Sequence, residues 1–308
     1  KEIAIKTKNE NFNLNLPEDF STNYFNEKHE IFDLESILLK IDKEIDLGYI
    51  TSFEIIDNRV NIITSNGYLF LLNNDFKLIK FLNLSENIEN FYTDYAYGGI
   101  RAGKWINNEN LIIYSSIKEN EKYKLSLISL KISKNYNLKE IDRINIANLP
   151  KQDGTMSNLG GGIELLNGNI FIAIGTTAVP NEYDINEFAQ KDDTNIGKIL
   201  QVSLDDGNKF KQIRKIAKGT RNSQGLLFIE DTLLEVEHGP QGGDEINYIS
   251  LSEFDQKTVN FGWPNFSYGL PYHNEIPYSQ NNLETNNTKD LEKYYNDDSL
   301  YFRKPIYY

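Results

Sequence analysis

From residue 49 to 82 the chain carries four short apolar-rich runs, 49–56, 60–64, 68–72 and 77–82. Asp57-Asn58 and Ser65-Asn66-Gly67 stand between them. Short apolar-rich runs bounded by turn formers predict strands joined in a meander. The arrangement returns over 98–146, where 111–115 and 123–130 are its clearest strands, and again over 160–216. In that third unit Asn167-Gly168 separates 161–166 from 169–174. Both turn residues tolerate positive φ, so a two-residue type I′ hairpin is predicted. A fourth unit covers 221–262, and 31–47 carries a fainter, partial one. Meanders in series at a spacing of roughly 35 to 60 residues predict an all-β chain of propeller blades. A β-sandwich is the competing arrangement. Residues 1–30 are polar and rich in Asn, and read as an N-terminal arm or irregular lead-in. Residues 31–308 then form a single propeller domain, with the polar stretch 274–300 inserted in it as a long loop.

Composition supports the β reading and narrows the partners. Aromatic residues make up 12% of the 308, with 19 Tyr and 17 Phe, which suits pleated, half-buried surfaces. A net charge of −13 argues against nucleic acid and anionic lipid, both of which call for a basic patch. A small neutral substrate would be indifferent to that field. The chain has no Cys, which excludes disulfides, thiolate nucleophiles and Cys-ligated metals. No apolar run of about 18 residues occurs, so no membrane span is predicted. The three histidines, His29, His238 and His273, are too scattered for a zinc site.

Three segments carry candidate chemistry. They are Gly219-Thr220-Arg221-Asn222-Ser223-Gln224-Gly225-Leu226, then Glu237-His238-Gly239-Pro240-Gln241-Gly242-Gly243-Asp244-Glu245, then Asn260-Phe261-Gly262-Trp263-Pro264. In this order and spacing they resemble the signature of the glucose/sorbosone dehydrogenase family that depends on pyrroloquinoline quinone (PQQ). The resemblance implies a six-bladed propeller of four-stranded antiparallel blades, the last of which this chain would lack. Bare strand edges would follow unless a further segment or a partner strand covered them. It also implies oxidation of the C1 hydroxyl of an aldose sugar to a lactone with PQQ and calcium. The setting would be the periplasm or the secreted space, with an electron-acceptor protein as partner.

By resemblance, Arg221 and Asn222 bind the cofactor. PQQ carries three carboxylates, which a guanidinium meets with bidentate hydrogen bonds. Taken alone, such an Arg could equally pair a carboxylate between blades. The Gly-Pro turn exposes carbonyls suited to a hard cation, so Gly239 and Pro240 would hold calcium, with His238 beside the cofactor. Asp244 and Glu245 either order that turn or bind a second calcium. Phe261 and Trp263 offer flat faces to a tricyclic quinone, or simply fill the core.

The sequence departs from the family pattern upstream, at Asn158-Leu159-Gly160-Gly161-Gly162. The family places a catalytic His where Asn158 stands and an Arg where Gly162 stands. An amide is no general base near neutral pH, and loss of such a base slows reaction by about 10²- to 10⁴-fold. Asp153 is the nearest carboxylate that could substitute. Ser223 and Phe261 replace the usual Pro and Tyr. The competing reading is therefore a catalytically impaired propeller that binds a ligand or a protein.

Overall fold

The computed structural model describes residues 3–6, 11–14, 46–93, 98–120, 122–149, 158–176, 188–240, 243–267, 270–271, 303 and 305–306. The candidate base Asp153, together with His29, His273 and the polar stretch 274–300, lies outside them. Strands β1 (Ile3–Lys6) and β2 (Asn11–Leu14) pair antiparallel within the stretch expected to be irregular.

The described residues fold as an all-β, propeller-like array of four antiparallel blades. Blade one is β3 (Ile50–Ile56), β4 (Arg59–Thr64), β5 (Tyr68–Asn73) and β6 (Leu78–Asn83), paired in chain order. Its first turn places Asp57 and Asn58 at φ 45° and 63°, the left-handed values that a two-residue hairpin demands. Blade two is β7 (Ile100–Trp105), β8 (Asn110–Glu119), β9 (Lys122–Ile132) and β10 (Leu138–Asn148). Blade three is β11 (Gly160–Leu166), β12 (Asn169–Ile174), β13 (Lys198–Leu204) and β14 (Phe210–Lys218). Asn167 and Gly168 take φ 51° and 72°, as predicted for the β11–β12 turn.

The fourth unit differs from a four-stranded meander. Only β15 (Ser223–Ile229), β16 (Thr232–Glu237) and β17 (Glu245–Ser250) pair with one another. The next strand, β18 (Val259–Asn260), crosses back and joins the outer edge of β14 in parallel. The outer side of β17 meets residues near the end of the chain, for Ile306 N–H donates to the Ile246 carbonyl at 2.9 Å. Arg303 stacks on Tyr248 with its guanidinium carbon 4.8 Å from the ring centre, and its Nη1 donates to Glu253 Oε2 at 2.9 Å. Strands β19 (Phe266–Ser267) and β20 (Leu270–Pro271) form a short separate pair.

Apolar cores lie between the sheets. Ile63 and Leu69 of blade one pack with Ile113 and Ile128 of blade two. Tyr114 and Leu127 pack with Ile172 and Leu200 of blade three, and Phe171 and Ile199 pack with Leu226 and Leu233 of blade four. The faces of the two outermost blades are different. Ile50, Phe53 and Ile55 of blade one are 55–65% exposed, and Leu227 and Ile229 of blade four are each 52% exposed. The first strand of each blade is innermost: β3 lies against β7, β7 against β11 and β11 against β15.

Candidate functional site: one rim of the channel between the inner strands

The inner strands β3, β7, β11 and β15 line a cavity of about 260 Å³ whose wall includes Ser52, Glu54, Lys104, Glu164 and Gln224. Lys104 Nζ sits 2.9 Å from Glu54 Oε1 and 2.8 Å from Glu164 Oε1, tying the inner strands of three blades together. Burial by itself would lower the pKa of this ammonium. The hydrogen bonds that it donates to Glu164 and Glu54, with their charges, outweigh burial and hold it above the ordinary lysine value.

The inner strands begin at a common rim, because bonds pass from one strand start to the next. Arg101, second residue of β7, donates from Nη1 to the hydroxyl of Tyr49, which precedes β3. On its other side Nε and Nη2 of Arg101 donate to the Gly160 carbonyl at 3.4 and 3.3 Å. Gly160, the first residue of β11, donates its N–H to Asn222 Oδ1 at 3.4 Å. Asn222 precedes β15.

Arg221 and Asn222 are held there by the loop after β16. The Arg221 N–H donates to Glu237 Oε2 and its Nη1 donates to the His238 carbonyl, both at 2.8 Å. His238 N–H donates to the Asn222 carbonyl at 3.1 Å. The guanidinium carbon of Arg221 lies 5.4 Å from the Trp263 ring centre, a cation–π distance. Trp263 arrives because β18 returns to blade three, after which its N–H donates to the Gly219 carbonyl at 3.1 Å.

The structure thus gathers Arg221, Asn222, His238 and Trp263 at one place. Phe261 is not with them. It is 2% exposed and packs with Ile216 and Val259 in the core between blades three and four, while Trp263, 4% exposed, is almost as buried but lies against Arg221.

The turn that would hold a cation is compact. A Cβ on Gly239 would lie 1.6 Å from the Gly243 carbonyl oxygen, so only glycine fits. Gly243 N–H donates to the Pro240 carbonyl at 3.0 Å, and Asp244 Oδ1 accepts the Gly239 N–H at 3.1 Å while lying 3.5 Å from His238 Nδ1. Asp244 therefore orders the turn. Glu245 is 3% exposed and turns into blade four, opposite Glu237 across the β16–β17 pair. Among the described residues no group of three His, Cys, Asp or Glu side chains is disposed to hold a metal ion.

Asn158 stands on the same rim, two residues before Gly160, with φ 55°. Its carbonyl would lie 1.8 Å from a Cβ on Gly175, which locks this loop against the end of β12. A side chain at Gly162 would crowd the Gly225 carbonyl carbon and Leu226 Cγ, each 3.0 Å from its Cβ.

Two features escaped the sequence reading. Arg101 gave no signal beyond being a lone cation two residues after Gly98-Gly99. The other is a cluster of buried acids, Glu235, Glu237 and Glu245, with Glu235 Oε2 accepting from Asn247 at 3.0 Å. Alternation along β16 puts Glu235 and Glu237 on the face of Leu233, which is buried against blade three. Burial, with the nearby Glu245 carboxylate, pushes the Glu235 carboxyl up to about 7. Burial and the neighbouring Glu235 and Glu245 raise Glu237 well above the usual carboxylate range.

Known proteins resemble this chain in sequence and in fold. The aldose sugar dehydrogenase YliI of Escherichia coli is 34% identical over 116 residues, which cover 34% of this chain and 28% of that protein. An uncharacterised Synechocystis protein is 35% identical over 105 residues, covering 30% of this chain and 24% of that one. The chain therefore matches about a quarter of the length of these curated relatives. Two solved glucose dehydrogenase structures superpose with a TM-score of 0.56 each, at 22% and 21% identity. They cover 73% and 76% of this chain and 66% and 68% of theirs, a likeness of fold. No helix among the described residues is long and apolar enough to cross a membrane. The family description for glucose/sorbosone dehydrogenase matches residues 102–299. With a match over well more than half of its length, the chain belongs to the glucose/sorbosone dehydrogenase family.

Proposed function

We propose that the rim binds PQQ with calcium, and that the protein oxidises the C1 hydroxyl of an aldose to a lactone. The observation that carries this reading is the joining of Arg221, Asn222, His238 and Trp263 through short bonds at the starts of the inner strands. Arg221 and Asn222 would meet the carboxylates of the quinone, and the carbonyls of Gly239 and Pro240 would face the cation. The Pro240 carbonyl accepts one hydrogen bond and retains a second lone pair for that purpose. Bound there, the quinone would supply the acceptor for the hydride leaving C1. The complete protein in this reading is a six-bladed, periplasmic or secreted propeller that hands its electrons to an acceptor protein. The over-half-exposed apolar residues on blades one and four support further blades.

A second reading follows from Asn158. Its amide stands at the position of the family's proton acceptor and cannot take a proton from a sugar hydroxyl, which favours a propeller that binds its ligand without turnover. The two readings separate when glucose and other aldoses are added to protein loaded with PQQ and calcium. Loss of the oxidised quinone absorbance within minutes supports the dehydrogenase. An unchanged spectrum with the quinone still bound supports the binding protein.

A further inference from the structure

We propose that Arg101 is a second carboxylate anchor at the channel rim, holding the same polycarboxylate that Arg221 holds. The proposal rests on the quinone reading above and adds a residue from a different blade. Its basis is geometric. Arg101 lies between Tyr49 of blade one and Gly160 of blade three, and Gly160 is itself bonded to Asn222. One residue thus joins the Arg101 guanidinium to the Arg221-Asn222 pair.

The local backbone explains why the cation comes from β7. Gly161 and Gly162 carry no side chain, and a Cβ at 162 would meet blade four at 3.0 Å. A Cβ at 161 would meet the Arg101 carbonyl oxygen at 3.2 Å. A cation carried by β11 at either position would press on a neighbouring strand by a few tenths of an ångström, whereas β7 delivers one beside Gly160.

Arg101 is also oriented. A guanidinium has five N–H donors. The Gly160 carbonyl takes Nε and one Nη2 donor, and the Tyr49 hydroxyl takes one Nη1 donor. One N–H on each terminal nitrogen has no partner among the described residues. Two such donors on one rigid plane suit the two oxygens of a carboxylate. The Tyr49 ring, 5.7 Å from the guanidinium carbon, limits its swing. Tyr49 is in this respect a positioning residue.

The test is calorimetric titration of the intact protein with PQQ in the presence of calcium, using Arg101→Gln, Arg101→Lys and Tyr49→Phe, each checked for an unchanged melting profile. Arg101→Gln is expected to weaken binding about tenfold or more, and Arg101→Lys, which keeps charge without the fork, by less. Tyr49→Phe should weaken PQQ binding several-fold and leave binding of inorganic anions unaltered. A ligand-side control guards against indirect effects: the trimethyl ester of PQQ should bind wild type and Arg101→Gln alike. Equal affinity of wild type and Arg101→Gln for PQQ would overturn the role of Arg101 while leaving the cofactor reading intact. An equal loss for acid and ester would overturn it too, by showing a merely structural effect. Failure of wild type to bind PQQ would overturn both.

Discussion

At the scale of single residues the rim is a set of interlocked main-chain and guanidinium contacts, with the amide of Asn158 where the family places its proton acceptor. Asn158 lies in the left-handed region, which Asn and His both tolerate better than most residues. Asn158→His is therefore expected to fold and, with PQQ and calcium bound, to raise aldose-driven quinone reduction by about a hundredfold. Absorbance kinetics check this; no gain with the quinone bound would place proton transfer elsewhere. The buried acids make a separate prediction about stability. Glu235 carries a proton up to about 7 in the folded state, whereas an ordinary Glu loses it near about 4.3. The folded state binds the extra proton, so stability is full below the unfolded value and declines as pH rises through 7. Glu235→Gln should thus gain about 1–2 kcal/mol relative to wild type at pH 8 and almost nothing at pH 4. Thermal melts at the two pH values measure the difference; an equal effect at both would mean that Glu235 is ionised throughout.

At the scale of elements, turns and strands were legible where the local pattern decides them. Asn167-Gly168 announced its hairpin because the turn alone demands positive φ at both positions, and the same holds for Asp57-Asn58. Strand β18 was not legible. Two residues, Val259 and Asn260, return to β14 in parallel, a pairing set by distant packing of Phe261 and not by any local period. Phe261 read as a candidate face for the quinone for the same reason, since its motif neighbour Trp263 does reach the rim. Arg101 was invisible because its partners, Tyr49 and Gly160, lie 52 and 59 residues away. Two glycines distinguish local from tertiary constraint. Gly168 has φ 72° with no atom within 4 Å of a Cβ, so Gly168→Ala should cost about 1 kcal/mol. At Gly175 the added Cβ would lie 1.8 Å from the Asn158 carbonyl, and Gly175→Ala should cost about 3 kcal/mol and displace the Asn158 loop. Chemical denaturation of the two variants compares them, and equal losses would contradict the packing described at Asn158.

At the scale of the molecule, the four blades followed from the repeated meanders, because each blade must bury both faces and neighbouring sheets supply the cover. The channel is held by the Lys104 bridge across three inner strands. Replacing Lys104 with Met leaves Glu54 and Glu164 facing each other without their cation, and is expected to cost about 2 kcal/mol, less in acid, where the carboxylates are protonated. Melting curves at pH 7 and pH 4 check the sign. The net charge of −13 leaves the rim arginines as local cations in an acidic protein, so an anionic ligand would be selected by the rim and not by the long-range field. The most direct measurement of that claim is calorimetric titration of PQQ into wild type and Arg221→Ala, with and without calcium. The account predicts one calcium-dependent site in wild type and at least a tenfold loss in the variant. Equal binding by both proteins, or none by wild type, would contradict it.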